Sequence, residues 1–305
     1  MFPTLTNLPM LGPISTYMTF VGIAFVFGIW QLYREGEKLG VDAQRYIDLG
    51  LWMLVFGVMG SRLLAVVADG HFYDFVHLCT DPKLVPVDPH EPESRIFECT
   101  QLENGCGDFF LCNQATGRCY PPRDCLAALK FWQGGLAYYG GFLAAAAFGL
   151  YYARKHKLGV WRTADAASPY IALGLFFGRL GCFFNGCCYG ERASGPLAVV
   201  FPTKPDGPRL AMQLVESLSG LVIFLSLLAW RRRRREFGEV FAGLLFTYGV
   251  MRFILEFWRD DPRGAVAGLS TSQLISLPLV AWGAVWIVKA RTRGRARDAE
   301  QPAAA

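Results

Sequence analysis

Seven long apolar stretches constrain the fold of this chain more than any other feature of its sequence. Each is about as long as the 20 residues that a helix needs to cross the hydrocarbon core of a bilayer. The stretches cover residues 14–33, 47–67, 134–153, 167–184, 211–230, 237–258 and 270–290. Hydrophobic residues make up 53% of the chain, which is typical of membrane proteins. The sequence therefore predicts an all-α integral membrane protein with seven transmembrane helices.

Basic residues follow every second apolar stretch, and the segments between them are mixed or acidic. The positive-inside rule then places the N-terminus outside and the C-terminus inside. The residues concerned are Arg34, Lys38, Arg45, Arg154, Lys155, Lys157, Arg231 to Arg235, Lys289, Arg291, Arg293, Arg295 and Arg297. The net charge of +5 thus indicates orientation, and no nucleic-acid partner is expected. The N-terminus lacks a basic region before its apolar run, so no cleaved signal peptide is expected either.

Residues 69–133 form a separate segment between the membrane helices of residues 1–68 and those of residues 134–290. Six of the nine cysteines lie in it: Cys79, Cys99, Cys106, Cys112, Cys119 and Cys125. This density predicts a small disulfide-rich extracytoplasmic insert, with 15 possible pairings left open. A zinc site is disfavoured there because no CxxC or CxxH spacing occurs. Residues 291–305 are predicted to be a disordered basic cytoplasmic tail.

Polar residues within the apolar stretches fall at their outer ends once the orientation is applied. They are Tyr17, Arg62, Tyr139, Arg179, Gln213, Glu216, Arg252 and Glu256. We expect few such groups in the inner half, apart from the basic flanks. Three arginines against two acids leave positive charge over, and phosphates are the abundant anions at headgroup depth. Arginine can hold two phosphate oxygens at once. The alternative is a purely structural role, in which these residues only form ion pairs and hydrogen bonds between helices.

One stretch carries an unusual combination of glycines with arginine, asparagine and cysteines. It reads Gly178-Arg-Leu-Gly-Cys-Phe-Phe-Asn-Gly-Cys-Cys-Tyr-Gly190, with Asn185-Gly186 predicting a turn where the helix ends. This stretch resembles the signature of prolipoprotein diacylglyceryl transferases. Further segments resemble family motifs in order and spacing: Gly60-Ser-Arg62, Gly134-Gly135-Leu136 with Gly140-Gly141, Gln213-Leu-Val-Glu216, Tyr248 to Arg259, and Leu269-Ser270 with Gln273.

The resemblance implies a bacterial inner-membrane enzyme. It would move a diacylglyceryl group from phosphatidylglycerol to the cysteine thiol of a prolipoprotein signal peptide and release glycerol phosphate, acting as a monomer without metal or cofactor. The implied catalytic residues are Arg179, Arg252, Tyr139 and Glu256. The implied substrate-binding residues are Arg62, Asn185, Gly190, Tyr17, Gln213, Glu216 and Tyr248.

Three residues depart from the family pattern. Tyr139 stands where the family commonly has a histidine proposed as a base, and a phenol with a pKa near 10 is a poor base at neutral pH. Cys182 and Cys187 stand where many members have Asn and Glu. Two other functions therefore stay open: a lipid-binding or transport protein without catalysis, and a membrane thiol oxidoreductase that uses Cys182, Cys187 and Cys188. Against the second, adjacent cysteines form a strained disulfide, and buried free cysteine is a common small apolar residue.

Overall fold

A computed structural model describes residues 4–8, 12–38, 42–68, 72–85, 111–113, 118–130, 137–202, 204–260, 265–266 and 268–300. Eight α-helices lie in these ranges: α1 (Thr16–Lys38), α2 (Gln44–Ala68), α3 (Phe72–Cys79), α4 (Tyr138–Lys155), α5 (Val160–Asn185), α6 (Met212–Arg231), α7 (Glu239–Leu255) and α8 (Thr271–Glu300). Four antiparallel strand pairs accompany them: β1 (Thr4–Leu8) with β2 (Gly12–Ser15), β3 (Leu111–Asn113) with β4 (Arg118–Tyr120), β5 (Ala198–Phe201) with β6 (Lys204–Leu210), and β7 (Ala265–Val266) with β8 (Leu269–Ser270).

Six of the described helices are long and apolar enough to cross a membrane: α1, α2, α5, α6, α7 and α8. The prediction of an all-α membrane protein is thereby confirmed in its coarse form. The remaining predicted span corresponds to α4, whose 18 described residues end on Arg154 and Lys155. The seven-span count and the orientation stay predictions. Residues 134–136, the start of the predicted third span, lie outside the described residues.

The chain divides into two compact units. The first contains residues 1–47 and 156–305, in which α5 packs against α1 and α6, and α7 packs against α8. A buried cluster of Ala172, Ile223, Leu227, Val240 and Leu244 joins α5, α6 and α7. Burying such side chains stabilises the fold by roughly 25 cal/mol for each Å² of apolar surface removed from solvent.

The second unit contains residues 48–155. Within it α2 and α4 approach closely at glycines: a Cβ on Gly141 would lie 2.9 Å from the carbonyl oxygen of Gly57. Small residues allow this kind of backbone approach between membrane helices. A disulfide joins Cys79 at the end of α3 to Cys125, and the backbone positions of Cys112 and Cys119 pair across β3 and β4. Cys99 and Cys106 lie outside the described residues, so the disulfide-rich insert as a whole stays a prediction.

The two largest differences from the predicted helix bounds are at the start of α5 and at the end of α8. Helix α5 begins at Val160 rather than at residue 167. It therefore includes Asp165, which is fully buried and accepts hydrogen bonds from the backbone N–H groups of Gly238 and Phe241, both at 2.9 Å. This carboxylate caps the start of α7. Helix α8 continues to Glu300, so the predicted tail is helical to that residue, in keeping with the high helix propensity of its Arg and Ala residues.

Buried acids also occur at the end of the helices opposite to Arg179 and Arg252, where the sequence predicts few. Glu239 is 1% exposed and accepts hydrogen bonds from the indole of Trp230 at 2.8 Å and the backbone N–H of Arg235 at 2.9 Å. Arg291 forms an ion pair with the same carboxylate at 3.2 Å. Because the orientation is itself a prediction, the expectation of few polar groups in the inner half stays a prediction. These groups fix helix ends to one another.

Candidate active site in the first unit

Helix α5 ends where the sequence predicts. Gly186 caps it in the left-handed region, at φ 75°, and its N–H donates to the carbonyl oxygen of Cys182 at 3.0 Å. A glycine takes this conformation without a steric cost. Near the same end, a Cβ on Gly181 would lie 3.0 Å from the Cα of Tyr17. The signature glycines thus let α1 lie directly against α5, which brings Tyr17 to the end of the helix that carries Arg179.

Glu216 is the centre of a cluster of arginines. Its side chain lies on the second turn of α6 and is 2% exposed. Arg259 Nη1 lies 2.7 Å and Arg252 Nη1 lies 3.2 Å from its Oε1 atom, and Arg179 Nε lies 2.9 Å from its Oε2 atom. A buried carboxylate needs such compensation, since an unpaired charge in a low-dielectric interior is costly.

A second carboxylate holds Arg252 from the other side. Glu256 Oε2 lies 2.5 Å from Arg252 Nη2, one helical turn away. The hydroxyl of Ser270 donates to Glu256 Oε1 at 2.8 Å, and Arg252 Nη2 donates to the hydroxyl of Ser272 at 3.1 Å. The side chain of Gln273 closes the turn by accepting the backbone N–H of Ser270 at 3.0 Å. Arg252 is therefore positioned directly by Ser272 at the start of α8, and by Glu256, which Ser270 of β8 holds in place.

Gly190 brings Arg259 to the cluster. The two residues form a β-bridge, and the N–H of Gly190 donates to the carbonyl oxygen of Leu210 at 2.8 Å. A Cβ on Gly190 would lie 2.6 Å from the carbonyl oxygen of Trp258, so no larger residue fits without a backbone shift. Gly190 thus contributes close backbone packing that holds Arg259.

An additional ion-pair set ties the β5–β6 hairpin to the end of α7. Arg209 is 4% exposed and pairs with Asp206 at 3.1 Å and with Asp260. Asp206 also pairs with Arg192 at 3.0 Å. Hydrogen bonds from Arg209 and Arg192 lower the pKa of Asp206 to about 2. These contacts fix the hairpin that carries Gly190's partner Leu210.

Arg179 differs from the other two arginines in its accessibility and its bonding. Its side chain is 19% exposed, against 7% for Arg252 and 1% for Arg259. The Arg179–Glu216 contact is an ion pair without the alignment of a hydrogen bond, because Glu216 Oε2 has no hydrogen-bond donor among the described residues. Within the described part of the chain, Arg179 makes no hydrogen bond through its terminal nitrogens, which leaves them available to an anion.

Gln213 occupies the first turn of α6 and is fully buried. Its Nε2 atom donates to the carbonyl oxygen of Cys187 at 2.6 Å. Its Oε1 atom is buried and has no hydrogen-bond partner in the described ranges. An acceptor left unmatched in this way costs about 1–3 kcal/mol, which indicates a position prepared for a donor from a ligand.

Three thiols lie beside this cluster. The sulfur atoms of Cys182, Cys187 and Cys188 lie within 4.8 Å of one another, and all three residues are half-buried and free. Hydrogen bonds from Cys182 and Cys187, together with the charges of Arg179 and Arg259, lower the pKa of the Cys188 thiol. The thiols therefore lie within electrostatic reach of the arginines.

The other predicted residues fall in different surroundings. Asn185 is exposed at the end of α5, and Tyr248 is half-buried on α7. Arg62 and Tyr139 lie in the second unit. There Arg62 donates to the carbonyl oxygens of Ala128 and Ala127 at 2.9 and 2.7 Å, as expected of a hydrogen-bond partner between segments. Tyr139 is 49% exposed on the first turn of α4.

The sequence analysis missed Arg259 and Ser272 as members of the site. Arg259 follows a 3₁₀ turn at Glu256–Trp258, so counting along a helix face from Arg252 does not reach it. Its position in the motif that runs from Tyr248 was the one available signal. Ser272 gave no signal beyond its place beside Gln273 at the start of the last span.

Comparisons with known proteins agree on one family. The family described as "Prolipoprotein diacylglyceryl transferase" matches residues 109–289, more than half of the chain. Three similar proteins carry the name "Phosphatidylglycerol--prolipoprotein diacylglyceryl transferase". The protein of Glaesserella parasuis is 37% identical over 96% of this chain and 96% of its own length. That of Clostridium tetani is 38% identical over 87% and 88%, and that of Geobacillus kaustophilus is 29% identical over 94% and 93%.

Proposed function

The chain belongs to the prolipoprotein diacylglyceryl transferase family, and we propose on this premise how its residues carry out the transfer. It is a membrane transferase of lipoprotein biosynthesis. Its substrates are phosphatidylglycerol and prolipoproteins, and the products are a thioether-linked diacylglyceryl cysteine and glycerol phosphate.

The proposal includes a membrane arrangement. The chain is a multi-pass membrane protein with six described spans. We take α4 as the seventh span, which places the N-terminus outside, the C-terminus inside and the cysteine-rich insert outside the bacterial inner membrane. Supporting this, Arg154 and Lys155 end α4 and follow the alternation of basic loops.

The proposal rests mainly on one observation: the terminal nitrogens of Arg179 make no hydrogen bond among the described residues, in a site with surplus positive charge. Arg179, Arg252 and Arg259 face two carboxylates, Glu216 and Glu256, which leaves one positive charge over. Because Arg252 and Arg259 are held by the carboxylates and Arg179 is partly exposed, Arg179 is the group that binds the lipid phosphate. Arginine suits this contact because its planar fork can bind two oxygens.

The reaction does not need a nucleophile from the enzyme, because the substrate thiol attacks. It does need neutralisation of the negative charge that develops on the leaving phosphate. The prolipoprotein's thiolate attacks the glyceryl carbon that bears the phosphate. As the carbon–oxygen bond breaks, its electron pair stays with the leaving glycerol phosphate, which becomes a dianion. Arg179 stabilises this developing charge, and Glu216 and Glu256 fix the arginines in advance, so that no reorganisation is needed in the transition state.

Gln213 on α6 recognises the glycerol headgroup through its buried acceptor atom Oε1. The headgroup of phosphatidylglycerol carries hydroxyl donors, and Gln213 Oε1 is an acceptor without a partner among the described residues. Asn185, Tyr17 and Tyr248 supply further polar contacts around it. In the second unit, we infer that Arg62 is a substrate-binding residue and that Tyr139 acts as a polar positioning group and not as a base.

A transfer assay tests the proposal. Purified protein is mixed with labelled phosphatidylglycerol and a peptide that carries a lipobox cysteine, and thioether-linked product is measured. Arg179→Ala should reduce the rate by roughly 10²–10³-fold, with Arg233→Ala, at an exposed residue after α6, as the control. Product formation by Arg179→Ala at the rate of the control would overturn the assignment. Lipid binding without product in the unmodified protein would favour the non-catalytic lipid-binding alternative.

A further inference from the structure

The three signature thiols form a compact constellation that the arginine chemistry does not use. Cys182 lies on the last turn of α5, and Cys187 and Cys188 follow the left-handed cap at Gly186. The left-handed turn at Gly186 brings the three sulfur atoms to within 4.8 Å of one another, and the sulfur atoms of Cys187 and Cys188 are 3.4 Å apart. Cys188 itself has a φ of 65°, a conformation uncommon for a residue other than glycine.

We propose that Cys182, Cys187 and Cys188 bind one Zn²⁺ ion through their thiolates. With Zn–S bonds of about 2.3 Å, tetrahedral ligands lie about 3.8 Å apart, so the three sulfurs need only small shifts. Thiolate ligands select soft or borderline metals such as zinc over magnesium or calcium. This differs from the sequence expectation of no metal, because the spacing along the chain does not show that the turn at Gly186 brings the thiols together.

The surroundings of the cluster suit a thiolate-bound ion. Three thiolates and one Zn²⁺ carry a net charge of −1, and two arginines lie close by along the chain or across a bridge: Arg179 precedes Cys182 on α5, and Arg259 pairs with Gly190, two residues after Cys188. The carbonyl oxygen of Cys187 accepts a hydrogen bond from Gln213 Nε2 at 2.6 Å. This bond fixes the backbone of the Cys187–Cys188 pair against α6. Such supporting contacts around metal ligands hold them in place.

Three protein ligands leave the fourth tetrahedral position open, as in catalytic zinc sites. We assign this position to the thiol of the substrate cysteine, an inference that rests on the proposed transferase function. On binding, the thiol loses its proton to solvent and its sulfur bonds to zinc, because a coordinated thiol is deprotonated at neutral pH. The zinc-bound thiolate then attacks the glyceryl carbon, and glycerol phosphate leaves with the electron pair of the broken carbon–oxygen bond.

Binding to zinc ionises the substrate thiol, which Tyr139 cannot do efficiently because a phenol is a poor base at neutral pH. A free thiol with a pKa of about 8.5 is only a few per cent ionised at pH 7. Full ionisation on zinc therefore raises the thiolate fraction by roughly 30-fold at pH 7. The gain shrinks as the pH rises through the pKa of the free thiol, which gives a signature that a structural role of the cysteines would not produce.

Cobalt substitution tests the metal site without reference to activity. The purified, reduced protein in detergent is titrated with Co²⁺, and the absorption of thiolate-to-cobalt charge transfer and of tetrahedral Co²⁺ is recorded. We expect equimolar binding, displacement by Zn²⁺, and loss of at least roughly tenfold in affinity for each of Cys182→Ser, Cys187→Ser and Cys188→Ser. Failure of the unmodified protein to show these bands overturns the site, whatever the folding of the variants.

Two further measurements separate this inference from the proposed function. Adding a lipobox peptide to the cobalt form should strengthen the charge-transfer band, and the same peptide with serine in place of the cysteine should not; no difference between the two peptides would overturn the fourth-ligand assignment.

The second measurement is the rate of transfer as a function of pH. Transfer by the Cys188→Ser variant should fall roughly 30-fold at pH 7 and recover towards pH 9. Unchanged transfer by this variant at pH 7 would refute activation of the thiol by zinc, and the proposed transferase function would still stand.

The reverse outcome is also informative. If the peptide binds to the cobalt form but the zinc form makes no product, the proposed transferase function is refuted and the metal site still stands.

Discussion

Arg259 Nη1 lies 2.7 Å from Glu216 Oε1, and this contact joins the end of α7 to the beginning of α6. Both side chains are almost completely buried, with 1% and 2% of their surface exposed. The same oxygen lies 3.2 Å from Arg252. Glu216 therefore organises two arginines that a substrate reaches poorly, and it leaves Arg179 as the accessible one.

Replacing Arg259 by alanine should reduce transfer as strongly as replacing a group that meets the phosphate. Without Arg259, Glu216 keeps less compensation for its charge and draws Arg179 towards itself and away from the lipid. We expect a loss of roughly 10²–10³-fold in kcat, measured by thioether product per inserted protein. Arg259→Lys should restore part of the rate, because the charge returns without the planar fork. Equal rates for Arg259→Ala and the exposed Arg233→Ala would contradict this role.

Gly190 offers a steric test of the same arrangement. Gly190→Ala places a methyl group 2.6 Å from the carbonyl oxygen of Trp258, so the bridge to Arg259 must open. We expect a lower thermal midpoint in detergent and a loss of transfer. Gly174→Ala is the matched control, because a Cβ there meets no atom within 4 Å, and a helical Gly-to-Ala change stabilises by roughly 0.5–1 kcal/mol. A Gly190→Ala protein with the midpoint and activity of this control would show that the close approach is unimportant.

Asp165 should contribute to stability and not to chemistry. Its carboxylate accepts the N–H groups of Gly238 and Phe241 at the start of α7, at the end of the helices opposite to Arg179. Asp165→Ala leaves these donors unmatched, which costs about 1–3 kcal/mol. We expect a lower thermal midpoint with kcat unchanged at temperatures where the variant is folded. Asp42→Ala, at an exposed side chain, is the control, and a selective fall in kcat for Asp165→Ala would contradict a purely structural role.

The sequence predicts the helices and the coarse site because both follow from local patterns. The end of α5 at Asn185 follows from the Asn–Gly pair, and Glu216, Arg252 and Glu256 follow from charges within apolar stretches. The sequence analysis did not single out Asp165, because the predicted span began two residues later, at residue 167, whereas helix α5 begins at Val160. The partners of Asp165 are backbone N–H groups some seventy residues along the chain, which no local pattern reveals.

The parts that the sequence does not predict depend on contacts between distant segments. Arg259 reaches Glu216 only because Gly190 forms a bridge with it, and neither spacing nor periodicity encodes that pairing. The signature cysteines were interpreted as small apolar residues because adjacent cysteines form a strained disulfide and buried free cysteine is common. Their proximity follows from the left-handed turn at Gly186, which is visible only in three dimensions.

Gln213 should determine selectivity for the hydroxylated headgroup. Gln213→Leu keeps the approximate size of the side chain and removes the buried acceptor Oε1. A phosphatidylglycerol analogue without headgroup hydroxyl groups serves as the matched substrate. In the unmodified protein we expect kcat/KM to be about tenfold lower for the analogue, since one hydrogen bond with a buried partner is worth about 1–3 kcal/mol. In Gln213→Leu the two substrates should react alike. Because loss of the bond from Nε2 to Cys187 slows both substrates equally, a variant that keeps the tenfold preference would place headgroup recognition elsewhere.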